Sequence, residues 1–355
     1  TLDERWRERL ALRQMFVNEL YLTIVRRPLA GRIGILDRLR GVASKSVVER
    51  AALLAAERRA LDTARDALVA SLNGYGPEVL TVRMDGNSAL SEPLEFLSRL
   101  YNAEAQPIIL PHGDVGYHLP WRRISFGQEA FELSKTPLHP RSFGALISVK
   151  DYPSASMPGI FDQLYRMPFE LMVTQSFAFV ERGDALSRMN LALRRMRSTD
   201  DEARSLRDEL VHSKDDVASG RAGFGEHHMA IRVQAPDLAT LDAHVAEVSA
   251  ALAELGIIAV REELALEPAF WAQFPGNFKY ITRRGLVSTA NFAGFASLHN
   301  FPVGQSHANH WGDAVTVFET TAAGPYFFSF HQNDLGNFTV IGPSGSGKST
   351  LLRCA

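Results

Sequence analysis

The segment GPSGSGKST at residues 342–350 constrains this chain more than any other. It satisfies G-x-x-x-x-G-K-[ST] in full, and that pattern works only as a loop between a strand and a helix. An apolar, β-branched run precedes it at residues 337–341, and Leu351-Leu352 opens an apolar helix after it. Glycines at this spacing let backbone N–H groups turn inward without side-chain obstruction. A following helix start adds partial positive charge facing an anion. The predicted ligands are ATP and Mg²⁺. Gly342, Pro343, Ser344, Gly345, Ser346, Gly347, Lys348, Ser349 and Thr350 form the expected nucleotide-binding set. Lys348 is expected to reach the β and γ phosphates and to be the catalytic cation, Ser349 to take a Mg²⁺ position, and Thr350 to serve behind it.

Composition narrows the class. With 355 residues the chain is long for a single domain. Hydrophobic residues at 46% and charged residues at 22% fit a folded globular protein. Lys plus Arg is 38 and Asp plus Glu is 40, a net charge of -2, which argues against a DNA-coating protein. A single cysteine, Cys354, excludes an internal disulfide framework and reads as a helix residue without a catalytic base. No apolar run reaches the roughly 20 residues of a membrane helix. The chain begins at Thr1 and ends at Ala355, shortly after the loop, and reads as a fragment of a longer protein.

Periodicity supplies the elements. Residues 1–15 read as a charged helix, 18–26 as a strand, and 45–72 as a long Ala/Leu/Arg/Glu helix stopped by Asn73-Gly74, with Gly74 as the left-handed cap. A strand at 78–84 and a short Pro-led helix at 93–100 follow. Residues 103–140 read as loops and short strands. Strands are expected at 143–149, 169–180 (apolar, read as buried), 226–234, 257–260, 315–319, 326–330 and 338–341, with helices at 158–166 and 238–255. The charged stretch 184–217 carries a capping box at residues 199–202 and reads as two helices or one kinked helix. It is either a protruding helical hairpin or, the favoured reading, a solvated helix covering a sheet.

Other chemistry-bearing residues are sparse. Trp271, Phe274, Phe278 and Tyr280 could stack on adenine, but a domain-interface core is favoured. His227 and His228 are adjacent on a strand and point to opposite faces, so they do not share a metal. His307 and His310 sit in a loop and read as hydrogen-bonding residues. No Ser-His-Asp arrangement can be placed from sequence.

The loop alone does not name the machine. The same loop is usual in ABC transporters, but there it follows membrane helices or lies near the start of a soluble subunit, and neither context occurs here. The run from Phe270-Trp271-Ala272-Gln273-Phe274-Pro275-Gly276-Asn277 through Ser288-Thr289-Ala290-Asn291-Phe292, His299-Asn300-Phe301, Trp311-Gly312, Tyr326-Phe327-Phe328-Ser329-Phe330-His331 and Asn333-Asp334-Leu335-Gly336-Asn337 resembles the CagE/TrbE/VirB family of type IV secretion ATPases. Residues 18–23, 93–97 and 225–228 resemble it too, and residues 270–349 are its most specific part.

That resemblance implies a layered α+β N-terminal domain, partly ferredoxin-like, over residues 1–266 (with a subdomain break near 150–168). It is followed at 267–355 by a connecting region and the first strand and P-loop of a RecA-like α/β NTPase domain. It implies an ATPase at the cytoplasmic face of the bacterial inner membrane that energises pilus assembly or substrate translocation. It implies docking to inner-membrane subunits, peripheral membrane association through those partners, and self-association as hexamers or dimers. Direct nucleic-acid binding is not expected. The acidic Walker B strand and arginine finger are missing from this chain, so this segment alone is not expected to hydrolyse ATP. Two other readings stand beside it: a non-catalytic assembly scaffold and a related DNA-pumping hexameric ATPase.

Overall fold

The structure is a computed structural model that describes residues 4, 5, 8, 15–26, 47–153, 155–198, 204–331 and 334–354. The predicted helix at 1–15 and the capping box at 199–202 lie outside these residues, or almost so. The chain forms two compact units, one of Leu20–Trp121 with Phe274–Phe278, the other of Thr1–Glu19, Arg122–Gln273 and Lys279–Ala355.

In the first unit, α1 (Val47–Ser71) is the expected long helix. None of residues 51–71 is buried. The helix runs into a 3-10 turn at Asn73–Tyr75, and the left-handed residue that ends it is Gly76 (φ 62°), not Gly74. The extra tight turn carries the chain two residues further before it reverses. The strand expected at 78–84 shortens to β1 (Val82–Asp85), which pairs with β2 (Ser88–Ser91) in a hairpin. In α2 (Glu92–Asn102) Pro93 occupies the first turn, where its missing N–H costs nothing. Residues 18–26 join no strand ladder. Their alternation was a true period-2 signal, but a strand also needs a hydrogen-bonding neighbour.

The second unit is built on one antiparallel sheet of β3 (Ile124–Phe126), β4 (Phe131–Leu133), β5 (Ser142–Asp151), β6 (Leu171–Val180), β7 (Phe224–Ala235), β8 (Ile258–Arg261) and β9 (Gly285–Ser288). The sheet runs β3-β4-β5-β7-β6, with β8 also on β5 and β9 also on β7. Strands on both sides of residues 150–168 belong to it. Between β5 and β6 lies one helical turn, α3 (Asp162–Tyr165). This is shorter than the helix expected at 158–166.

Strand β6 and its neighbour β7 are joined not by a tight turn but by α4 (Arg182–Ser198) and α5 (Arg204–Ser219). Ala185 and Met189 of α4 bury against Val217 of α5 and Phe224, with Val180, Leu186 and Leu210 around them. The two helices pack on each other, so the favoured reading of one helix lying over a sheet gives way to the hairpin. The helix on the sheet is α6 (Leu238–Glu254), capped by Asp237, which accepts from Thr240 N. It buries Leu241, Val245, Val248 and Leu252 against Ile147, Met229, Ile231 and Val233.

On β7, residues 229, 231 and 233 face α6 and residues 228, 230 and 232 face the other way, as the period of a strand requires. Arg232 on that second face is 1% exposed and lies over the rings of Phe131 (5.1 Å) and Phe270 (5.3 Å), the latter from α7 (Leu266–Ala272). Burial pulls its guanidinium down to about 10, with Glu170 pushing the other way. The apolar strand β6 is not buried: it lies at the sheet edge, and none of its ten residues is fully covered. Apolar composition reported β propensity, not depth.

After α8 (Thr289–Phe295) comes a separate hairpin of β10 (Thr316–Glu319) and β11 (Pro325–Phe328). The strand expected at 337–341 is not formed, and among the described residues nothing pairs with it. Ile341 is 89% exposed.

Candidate nucleotide-binding site

The approach to the loop is aromatic. Phe318 contacts Phe328 (5.5 Å between centroids), Phe328 contacts Phe330 (5.0 Å), and Phe330 contacts Phe338 (4.8 Å). This ladder carries the chain from the β10–β11 hairpin to within four residues of Gly342. Such pairs add to burial through edge and offset geometry.

Within the loop, Gly345 (φ 82°) and Gly347 (φ 86°) take left-handed backbone conformations, and a Cβ at either would meet open space. The glycines are needed there for their torsions, not for close packing. Ser346 N donates to Pro343 O at 3.3 Å, tightening the turn. Leu351 N donates to Gly347 O at 2.9 Å, the first bond of α9 (Lys348–Cys354). Lys348, half-buried, folds back: its Nζ donates to Gly342 O and to Pro343 O, each at 2.7 Å. Pro343, Ser344, Ser346, Ser349 and Thr350 are exposed. The side chain of Cys354 lies outside the description.

This donor set suits a polyphosphate. Among the described residues the Lys348 ammonium is held by neutral carbonyl oxygens of the loop, and an anionic phosphate is a stronger acceptor. Ser349 offers a hydroxyl of the hard-oxygen type that Mg²⁺ accepts.

The other sequence candidates separate. His227 is buried, its Nδ1 2.9 Å from Tyr152 Oη and its Nε2 3.1 Å from Gln175 Oε1. His228 on the opposite face has Nδ1 3.1 Å from Arg283 O. Burial pulls His227 down to about 4, with the neighbouring His228 adding to the effect, and lowers His228 as well. His307 Nδ1 lies 2.8 Å from Asp313 Oδ1, while His310 stacks on His331. Among the described residues no group of three or more His, Cys, Asp or Glu could hold a metal. Trp271 meets Phe270 edge-on at 5.3 Å, and its Nε1 donates to Glu267.

Sequence reasoning missed a cluster assembled by the fold. His299 Nε2 lies 2.7 Å from Asp162 Oδ1, and its Nδ1 lies 2.5 Å from Ser297 Oγ. Nearby, Asn18 donates through Nδ2 to Tyr165 O (3.0 Å) and accepts at its carbonyl from Asn300 Nδ2 (2.6 Å). Residues 297–300 are thereby tied to α3 and to residue 18. No local pattern signals a pairing across more than a hundred residues.

A sequence model of the CagE, TrbE, VirB family, described as a component of type IV transporter systems, matches residues 78–283, more than half of the chain. The chain belongs to this family. Its relatives include the type IV secretion system protein virB4 of Bartonella henselae, 33% identical over 99% of this chain and 45% of the relative. Protein virB4 of Rhizobium radiobacter is 31% identical over 99% of this chain and 44% of the relative. The type IV secretion system protein PtlC of Bordetella pertussis is 32% identical, with the same coverages. The chain thus spans less than half the length of these curated relatives. The family match lies mainly on the α+β sheet and shares only 270–283 with the stretch on which the sequence resemblance most depended. No helix among the described residues is long and apolar enough to cross a membrane.

Proposed function

We propose that the protein containing this chain is a type IV secretion ATPase that binds Mg-ATP at residues 342–350 and couples its hydrolysis to pilus assembly or substrate translocation at the bacterial inner membrane. The observation that carries this reading is the loop itself: two left-handed glycines flank an open turn, and Lys348 sits across it. Membership of the family and the names of its relatives supply the system.

In this reading ATP supplies the phosphoanhydride bond, and the chain's own residues bind and orient it. Backbone N–H groups of 344–349 face the phosphates. Lys348, now on the Gly342 and Pro343 carbonyls, would hold the β- and γ-phosphates, and the Ser349 hydroxyl would hold Mg²⁺. The strand order β8-β5-β7-β6, antiparallel throughout, supports treating the upstream sheet as a ferredoxin-like unit that docks to membrane subunits. The loop and α9 are read as the start of a RecA-like motor.

Titration of the full-length protein with Mg-ATP, beside a Lys348→Ala variant, tests this. Saturable binding that the variant markedly weakens, with membrane association retained, is the expected result. Equal binding and turnover in both would overturn it.

A further inference from the structure

Strand β6 is hydrogen-bonded to β7 along its whole length, from Leu171 opposite Val233 to Val180 opposite Phe224. Its other edge pairs with no strand among the described residues. Natural edges of this length are protected by charge, proline, a bulge or brevity. β6 has none of these: LMVTQSFAFV carries no charge, proline or glycine, its register is unbroken, and it is ten residues long. By contrast β3 and β8, at the other side of the sheet, are three and four residues long. Phe179, near the end of β6, is 82% exposed. An edge with this character is a ready template for pairing with another strand.

The sequence of the edge says what covers it. Folded about Gln175, β6 is complementary to itself. An antiparallel copy centred there sets Thr174 against the partner's Ser176, Val173 against the partner's Phe177, Met172 against the partner's Ala178, and Leu171 against the partner's Phe179. Polar meets polar and β-branched meets aromatic, the pairings that stabilise antiparallel ladders. A one-residue slip would turn every side chain to the wrong face. A two-residue slip would set Gln175 against valine or phenylalanine. Leu171 and Val173 already pack on the α6-side core, so the centred register would also extend that apolar face from one copy to the next.

We infer that β6 is a self-association edge, on which a second copy of this chain adds its own β6 antiparallel about Gln175 and makes one sheet continuous across a two-fold axis. The proposal goes beyond nucleotide binding and does not depend on it. Lys348→Ala should leave the pairing intact, so the failure of one reading is distinguishable from failure of the other.

The register is the test. In the full-length protein, with native cysteines replaced, chains carrying Met172→Cys are co-expressed with chains carrying Ala178→Cys and exposed to a short thiol crosslinker. The two positions are expected to crosslink. Met172→Cys with Thr174→Cys should not, since four residues of strand separate them by about 13 Å. Thr174→Lys should lower the crosslink yield at least about tenfold, because a lysine on the edge opposes pairing. Adding Ser176→Glu to the same chain should restore it, since the centred register sets each introduced ammonium against the introduced carboxylate of the other copy.

Absence of the crosslink, or equal yields in and out of register, would overturn the proposal. So would a Thr174→Lys variant with unchanged melting and unchanged crosslinking, or one that loses a different protein while the crosslink never forms. The crosslinking pair decides the matter even if the lysine variant fails to fold.

Discussion

Lys348 Nζ donates to the carbonyl oxygen of Gly342 at 2.7 Å, so the first and seventh residues of the loop are joined by the side chain expected to meet phosphate. The ammonium is thus already positioned across the turn. Under the proposed function, phosphate binding would exchange two neutral acceptors for charged ones and would demand little new ordering of the side chain.

Lys348→Ala in the full-length protein should weaken Mg-ATP by about 2 kcal/mol, roughly 30-fold, the scale of one hydrogen bond to a charged group. Melting without nucleotide should barely change, because Lys348 is half-buried at most and its bonds lie within the loop. Titration calorimetry checks the affinity, and wild-type binding in the variant would remove Lys348 from the site.

Gly347→Ala probes the backbone instead of the charge. A non-glycine residue at φ 86° costs on the order of 1 kcal/mol. Space is not the obstacle, since no atom lies within 4 Å of the added Cβ. The expected outcome is several-fold weaker nucleotide binding with little loss of melting temperature. A large drop in stability would show that this glycine serves packing.

Phe270→Ala should destabilise the sheet unit by about 3 to 5 kcal/mol, the usual cost of emptying a buried aromatic site. Phe270 is fully buried and touches Phe126, Phe131 and Arg232. Phe270→Leu should cost markedly less. Urea denaturation of both variants gives the comparison, and equal costs would mean that refilling the volume recovers nothing, so that the ring's own shape and its contact with Arg232 carry the effect.

Stability should fall on acidification through His227. Its folded pKa is lowered to about 4 from 6.5, so between these values the unfolded chain binds more protons than the folded one. The stabilisation is present above pH 6.5 and lost as pH falls toward 4, in total about 3 kcal/mol, with His228 adding in the same direction. His227→Gln should flatten the denaturation midpoint across that window. A variant as pH-sensitive as the parent would show that His227 does not carry the effect.

Some of this was legible in the chain itself. Nine contiguous residues specify the loop, because its left-handed glycines and its lysine depend on neighbours within one turn. The succession of strands and helices from Ser142 to Arg261 follows from period 2 giving way to period 3.6, again a local property. The same holds for Pro93 at the start of α2 and Asp237 as the cap of α6.

What the tertiary structure decided are the properties that depend on which segments become neighbours. The apolar β6 reads as a buried strand but is an edge, because burial depends on how many strands and helices flank it. Arginine is a residue type that is rarely buried, yet Phe131 and Phe270 arrive from about 100 residues before Arg232 and about 40 after it to enclose it. Residues 337–341 have strand composition, but a ladder needs a second strand, and none is paired with them among the described residues. The tie from His299 to Asp162 joins positions 137 residues apart in the sequence. Local torsional preference is encoded residue by residue, whereas pairing and burial are fixed only when distant segments meet.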